Sequence, residues 1–141
     1  MASIFWDTML FIYLVEDHPT HGKKVRNLLS LCEEHGHAIH TSVFTLGELL
    51  VAPRKTGNTE LAEAFIDVLR PPHVRLIPFQ ERTAGFYADI RSGMKVSPAD
   101  AIQLACAADA GMNVFVTNDK DLLGKKVTGI DFIVGLDGKL L

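Results

Sequence analysis

Ser97-Pro98-Ala99-Asp100-Ala101-Ile102-Gln103-Leu104-Ala105, followed by Asn113-Val114-Phe115-Val116-Thr117-Asn118-Asp119, is the stretch that decides the fold. The first segment opens a helix. Ser97 suits the N-cap, Pro98 the first helical position, and Asp100 lies three residues beyond the cap. Ala, Ile, Leu and Cys then fill the helix almost to Gly111, a natural C-terminal stop. A helix so poor in charge is expected to be buried on most sides. The second segment reads as a short β-branched strand ending at Asn118-Asp119. Taken singly, each acid reads first as a cap: Asp100 in a capping box, Asp119 before residues 120–123. The functional reading rests on the set.

Working toward the N-terminus, residues 43–52 form another helix whose only charge is Glu48. On a helical projection Glu48 is flanked by Phe44, Leu49 and Val51, so its carboxylate needs either a cation or a hydrogen-bond donor. Residues 54–58 read as a polar, basic loop after Pro53. Ser3 to Trp6 reads as a buried strand ending at Asp7, and an apolar helix follows from Thr8. A second helix is expected from Pro19, with Val25, Leu28, Leu29 and Cys32 on its core face. Strands follow at residues 38–42, 74–78 and 131–134, with helices after Asn58 to Arg70 and over 81–91. Pro78 moves the third strand toward a sheet edge or a strand end.

Strands alternate with helices throughout, which predicts a three-layer α/β/α domain around a central, mainly parallel sheet. At 141 residues and 48% hydrophobic, the chain (1–141) is expected to be a single domain with a substantial core. In such sheets the functional crevice lies beyond the strand C-termini. Asp7 and Asp119 end strands, Asp100 begins a helix, and Glu48 leans in from the helix after the second strand. Crowded acids repel unless a cation offsets them, and hard oxygen ligands suit Mg²⁺ or Mn²⁺. Such a site activates water and polarises a phosphodiester. The chain has no phosphate-binding glycine loop and no nucleophile elbow.

The formal charge of −3 neither advertises nor excludes nucleic acid, since a local basic patch coexists with a net acidic chain. Cys32 and Cys106 fit two core thiols in a reducing cytosol. The apolar run 9–15 is too short to span a membrane and lacks the features of a signal peptide, so a cytoplasmic protein with no membrane partner is expected. His18, His21, His35, His37 and His40 invite a zinc site, but their spacing matches no ligand pattern.

Asp7-Thr8 after the first strand, Thr45-Leu46-Gly47-Glu48-Leu49, Pro98-Ala99-Asp100-Ala101-Ile102 and Thr117-Asn118-Asp119-Lys120-Asp121-Leu122 resemble the four acidic motifs of PIN-domain nucleases. The resemblance runs over nearly the whole chain and is strongest to the VapC-type toxins of toxin–antitoxin pairs. It implies a PIN-like fold and a Mg²⁺- or Mn²⁺-dependent endoribonuclease. Asp7, Glu48, Asp100 and Asp119 would be the catalytic, metal-binding acids, supported by Thr8, Thr117, Asn118 and Asp121. It also implies an RNA substrate, a homodimer and a small antitoxin partner. Candidate phosphate contacts are Arg54, Lys55, Arg91, Lys95 and Lys120. Two further readings compete: a PIN-like RNA- or protein-binding module without turnover, and a metal-dependent phosphohydrolase of small phosphate esters.

Overall fold

Five strands build one sheet in the order β3-β2-β1-β4-β5: β1 (Ser3–Trp6), β2 (Ala38–Ser42), β3 (Arg75–Ile77), β4 (Val114–Val116) and β5 (Phe132–Val134). All four pairings are parallel, and Phe5 faces both His40 and Phe115 across its two neighbours. The computed structural model describes residues 1–138. Six helices connect the strands: α1 (Thr8–Val15), α2 (Gly22–His35), α3 (Val43–Thr56), α4 (Thr59–Val68), α5 (Glu81–Gly93) and α6 (Pro98–Ala110).

The central strand shows why three layers form. Side chains alternate across a strand, so Ile4 and Trp6 leave one face of β1 and Phe5 the other. Ile4 and Trp6 join Leu10, Phe11, Val25 and Phe65 in one core, beneath α1, α2 and α4. Phe5 joins Ile90, Leu104 and Phe115 in the second core, beneath α5 and α6. Phe5 and Phe115 stack with centroids 4.9 Å apart. A parallel strand covered on both faces is apolar at nearly every position, as β1 and β4 are.

The strand order also locates the crevice. The chain runs outward from β1 through β2 to β3, then returns to lay β4 on the other side of β1. The switch point therefore lies between β1 and β4, and ligands bind beyond the strand C-termini at such points. Asp7 follows β1 directly, and Thr117, Asn118 and Asp119 follow β4.

Several expected boundaries shift. The second helix starts at Gly22 rather than Pro19, because His18 Nδ1 accepts the backbone N–H groups of Thr20 and His21 and holds them in a turn. Helix α3 does not stop before Pro53 but continues to Thr56, so Arg54 and Lys55 lie on its last turn and not in a loop. Proline removes one helical N–H, yet the Pro53 carbonyl still accepts from Gly57, whose φ of 68° supplies the stop. Two basic residues on that turn also complement the negative end of the helix dipole. Helix α4 ends at Val68, short of Arg70, and α5 runs on to Gly93. Strand β3 ends before Pro78 and lies at the sheet edge, the place a proline favours. No helix among the described residues is long and apolar enough to cross a membrane.

Candidate active site

Asp7 caps a helix with one carboxylate oxygen and ties two strand ends together with the other. It occupies the N-cap of α1, where Oδ1 accepts from the Thr8 N–H at 2.9 Å. Its Oδ2 accepts from the Thr117 hydroxyl at 2.7 Å, which ties the ends of β1 and β4 together. Thr117 Oγ1 in turn accepts from the Asp119 N–H at 3.0 Å. Asp7 is only 8% exposed. Burial pushes its carboxyl above the ordinary range, the Thr117 and Thr8 hydrogen bonds hold it back, and the charges of Glu48 and Asp119 push it further up.

Asp100 sits in the first turn of α6, with its N–H donated to the Ser97 cap at 3.1 Å. Partial burial, the Asp7 charge and the neighbouring Asp119 together push its carboxyl up to about 6, against a hydrogen bond to Ser97 that lowers it. Asp119 does not cap a helix; residues 120–124 form turns, and its Oδ1 accepts from the Asp121 N–H at 2.9 Å. Glu48 is half-buried on α3 and faces the same end of the sheet, with Oε1 accepting from the Thr8 hydroxyl at 2.6 Å and from Gln103 Nε2 at 3.2 Å. The donors that its apolar neighbours in the sequence demanded are thus present.

At the switch point Asp7 thus feels the charges of Glu48 and Asp119, and Asp100 those of Asp7 and Asp119. Among the described residues, none of the four takes part in an ion pair with Lys, Arg or His. No three of the described His, Cys, Asp and Glu side chains stand close enough to grip an ion directly as a group. Mg²⁺ does not require such a cage, because it keeps several waters and takes one or two carboxylates with a substrate phosphate. Uncompensated hard oxygen donors fit a small divalent cation of this kind.

A cleft of about 460 Å³ opens beside Asp100 and is lined also by Asp121, Arg91, Lys95, Met94 and Val96. Arg91 and Lys95 thus share a cleft with Asp100, whereas Arg54, Lys55 and Lys120 are exposed and do not line it. Asn118 Nδ2 donates to the Tyr13 hydroxyl at 3.0 Å. The histidines have local partners. His18 and His21 stack at 4.8 Å, His37 Nδ1 accepts from the Ala2 N–H, and His40 meets the carbonyl of Ala38.

Sequence reasoning missed the polar cluster behind the acids. Gln103, 2% exposed, contacts Thr8, Thr45, Glu48 and Ser42. A signal was available: Gln103 is one helical turn after Asp100, and in a helix of Ala, Leu, Ile and Cys a lone amide needs buried partners.

No curated protein matches the chain. The structure of VapBC2 from Rickettsia felis bound to a promoter DNA fragment superposes with a TM-score of 0.75, at 19% identity over 94% of this chain and 97% of that one. DNA-bound VapBC from Salmonella typhimurium gives 0.68 at 22% identity, covering 96% and 99%. VapC20 of Mycobacterium tuberculosis, a sarcin–ricin loop cleaving toxin, gives 0.62 at 19% identity, covering 80% and 87%. These are likenesses of fold. The family model of the PIN domain matches residues 4–126, from the second residue of β1 past the β4 acids, and the chain belongs to the PIN-domain family.

Proposed function

We propose that this chain, as one PIN-like domain over 1–141, is a divalent-metal-dependent endoribonuclease and the toxin of a toxin–antitoxin pair. The observation that supports the reading is the mutual influence of the acids, Glu48 and Asp119 on Asp7, and Asp7 and Asp119 on Asp100, without basic partners among the described residues and beside a cleft bearing Arg91 and Lys95. Asp7, Glu48, Asp100 and Asp119 would hold Mg²⁺ or Mn²⁺, one or two of them directly and the others through the ion's bound waters. The ion, when bound, supplies the charge that activates water and stabilises the leaving oxygen of a phosphodiester.

The chain's own residues do the rest. Thr117 orients Asp7 across the β1–β4 switch point, and Thr8 orients Glu48. Arg91 and Lys95, which line the cleft with Asp100, would grip phosphates flanking the scissile bond, with Met94 and Val96 offering apolar contact between them. Binding through a few such contacts should weaken modestly as salt rises.

Two surfaces support the partners. An apolar groove of about 340 Å³, lined by Trp6, Phe11, Leu14, Leu29, Val68 and Val74, suits the apolar face of an antitoxin helix. An antitoxin Arg reaching the acids would pair bidentately with them and block the cation. Val43, Phe44 and Val51 remain exposed on α3 and suit a homodimer seam. A cytoplasmic location suits the two buried free thiols of Cys32 and Cys106.

The test is an activity screen with RNA, single-stranded DNA and a nitrophenyl phosphate, each with and without Mn²⁺. Metal-dependent cleavage of RNA is the expected result. Turnover of the nitrophenyl ester alone makes the chain a phosphohydrolase, and binding without turnover makes it a binding module. Expression of the chain alone should slow bacterial growth, and the Asp7→Asn form should not.

A further inference from the structure

Gln103 touches Glu48 and Thr8, the residue whose backbone N–H bonds Asp7 and whose hydroxyl bonds Glu48. It projects from α6 one turn after Asp100, a spacing that puts the two on neighbouring parts of the same helix. Its Nε2 lies 2.9 Å from Thr8 Oγ1, beside Asp7, and 2.7 Å from Thr45 Oγ1, one turn before Glu48. Its Oε1 accepts from the hydroxyl of Ser42, the residue that caps α3. Helices α1, α3 and α6, which carry Asp7, Glu48 and Asp100, thus meet on one buried amide.

Counting hydrogens gives the cluster a direction. Nε2 has two hydrogens and faces three oxygens: Thr45, Thr8 and, at 3.2 Å, Glu48 Oε1. By accepting from Gln103, Thr8 keeps its own single hydrogen for Glu48 Oε1 at 2.6 Å. The carboxylate has no hydrogen to give, so it ends the chain. An amide flipped end for end would set Oε1 against the carboxylate and leave Ser42 facing a donor, so the Glu48 charge fixes the orientation of Gln103. Both donors act on Oε1, and neither engages Oε2. Chains of this kind strengthen each bond within them, and breaking one link leaves buried hydroxyls unsatisfied.

We infer that Gln103 is a positioning residue that holds Glu48 Oε1 and the spacing of Asp7, Glu48 and Asp100, leaving Glu48 Oε2 to face the divalent cation. The inference rests on the metal-binding reading proposed above. It has a consequence in ion preference. Mg²⁺ demands near-ideal octahedral geometry at short distances, whereas Ca²⁺ accepts longer bonds and irregular shells. A frame that has lost its central amide penalises Mg²⁺ more than Ca²⁺.

The experiment is calorimetric titration of the full chain with Mn²⁺, Mg²⁺ and Ca²⁺, comparing wild type with Gln103→Met, which keeps length and removes every donor. The variant should bind Mn²⁺ about tenfold more weakly or worse, the usual effect of losing an outer support, and its preference for Mg²⁺ over Ca²⁺ should narrow. A folded variant with unchanged Mn²⁺ affinity and unchanged ion preference overturns the inference and leaves Gln103 as an ordinary core hydrogen-bonding residue. Two measurements stand if Gln103→Met does not fold. Ser42→Ala frees only the Oε1 side of the amide and should narrow the ion preference by a smaller factor. In wild type, the Gln103 side-chain amide resonances should shift during Mg²⁺ titration, and resonances that stay put overturn the inference. Wild type that binds no divalent ion defeats the metal reading itself, and this inference with it, an outcome distinct from a variant that binds normally.

Discussion

Helices α3 and α6 look alike as sequence and differ as structure. Each is nearly free of charge over its first ten residues, and each carries one of the acids, Glu48 or Asp100. In α6, Ala101 and every residue from Gln103 to Ala108 are buried. In α3 only Thr45, Leu49 and Pro53 are buried, a single stripe at fourfold spacing, while Val43 is 47% and Val51 51% exposed. The cause is what covers them. Helix α6 lies between the sheet, through Phe5 and Phe115, and an outer layer formed by Ile90 of α5 with Leu122, Val127 and Ile130. Helix α3 packs mainly on α4, with smaller contacts to α1, α6 and β2, and keeps the rest of its surface exposed. Apolar composition states how much surface a helix wants to bury; how much of its circumference the neighbouring layers cover decides how much it does.

The largest effects should come from the acids on these two helices. Asp100→Asn and Glu48→Gln should each lower RNA cleavage by about 100-fold or more, the weight of several kcal/mol of charge stabilisation. Thermal melts without metal should hold level or rise, because repulsion among the acids falls. A wild-type cleavage rate in Glu48→Gln would reduce α3 to scaffolding and separate the two helices functionally as well.

Stability should divide them next. Leu104 is fully buried, and Leu104→Ala should cost about 2–5 kcal/mol in chemical denaturation. Val51→Ala should stay within about 0.5 kcal/mol at concentrations where the chain is monomeric. Equal costs would mean that α3 is covered in solution. Val51→Lys should then raise the dissociation constant of self-association about tenfold, read by sedimentation, if the exposed stripe is the seam. An unchanged oligomer would take α3 out of the interface.

Smaller effects concern charge state. The Asp100 carboxyl stands at about 6 in the fold, above its ordinary value of 3.8, so the folded chain binds more protons than the unfolded one between those values. This group therefore favours folding most at the acid end, and its contribution is lost as pH rises through about 6. Asp7 is shifted in the same direction. Cation binding runs the other way: Mn²⁺ affinity should fall about tenfold per unit as pH drops below 6, because the proton must leave first. Titrations of wild type and Asp100→Asn across pH 5–8 check this, since the variant should lose much of the slope. The smallest change is expected from Asp121→Asn. Asp121 is exposed and its backbone, not its carboxylate, meets Asp119, so cleavage should change by less than about threefold.

Local chemistry made much of this legible in advance. Ser97, Pro98 and Gly111 marked the ends of α6 because caps act through neighbouring backbone groups alone, and the structure places those ends at the same residues. The alternation of strands and helices foretold the layers, and the parallel sheet bears it out. An acid stranded among apolar side chains announced that Glu48 needed partners, since an unpaired buried charge is costly wherever the fold puts it. Tertiary structure decided the rest. That α3 passes through Pro53 depends on capture of the Pro53 carbonyl by Gly57, a balance of one lost bond against one kept. That β4 lies beside β1, bringing Thr117 to Asp7 across 110 residues, is a matter of strand order, which no local preference encodes. Nor could spacing alone reveal that Gln103 meets Thr8, 95 residues away. Hydrogen bonds are short-ranged and directional, so partners distant in sequence are determined only when the sheet brings their helices to one end.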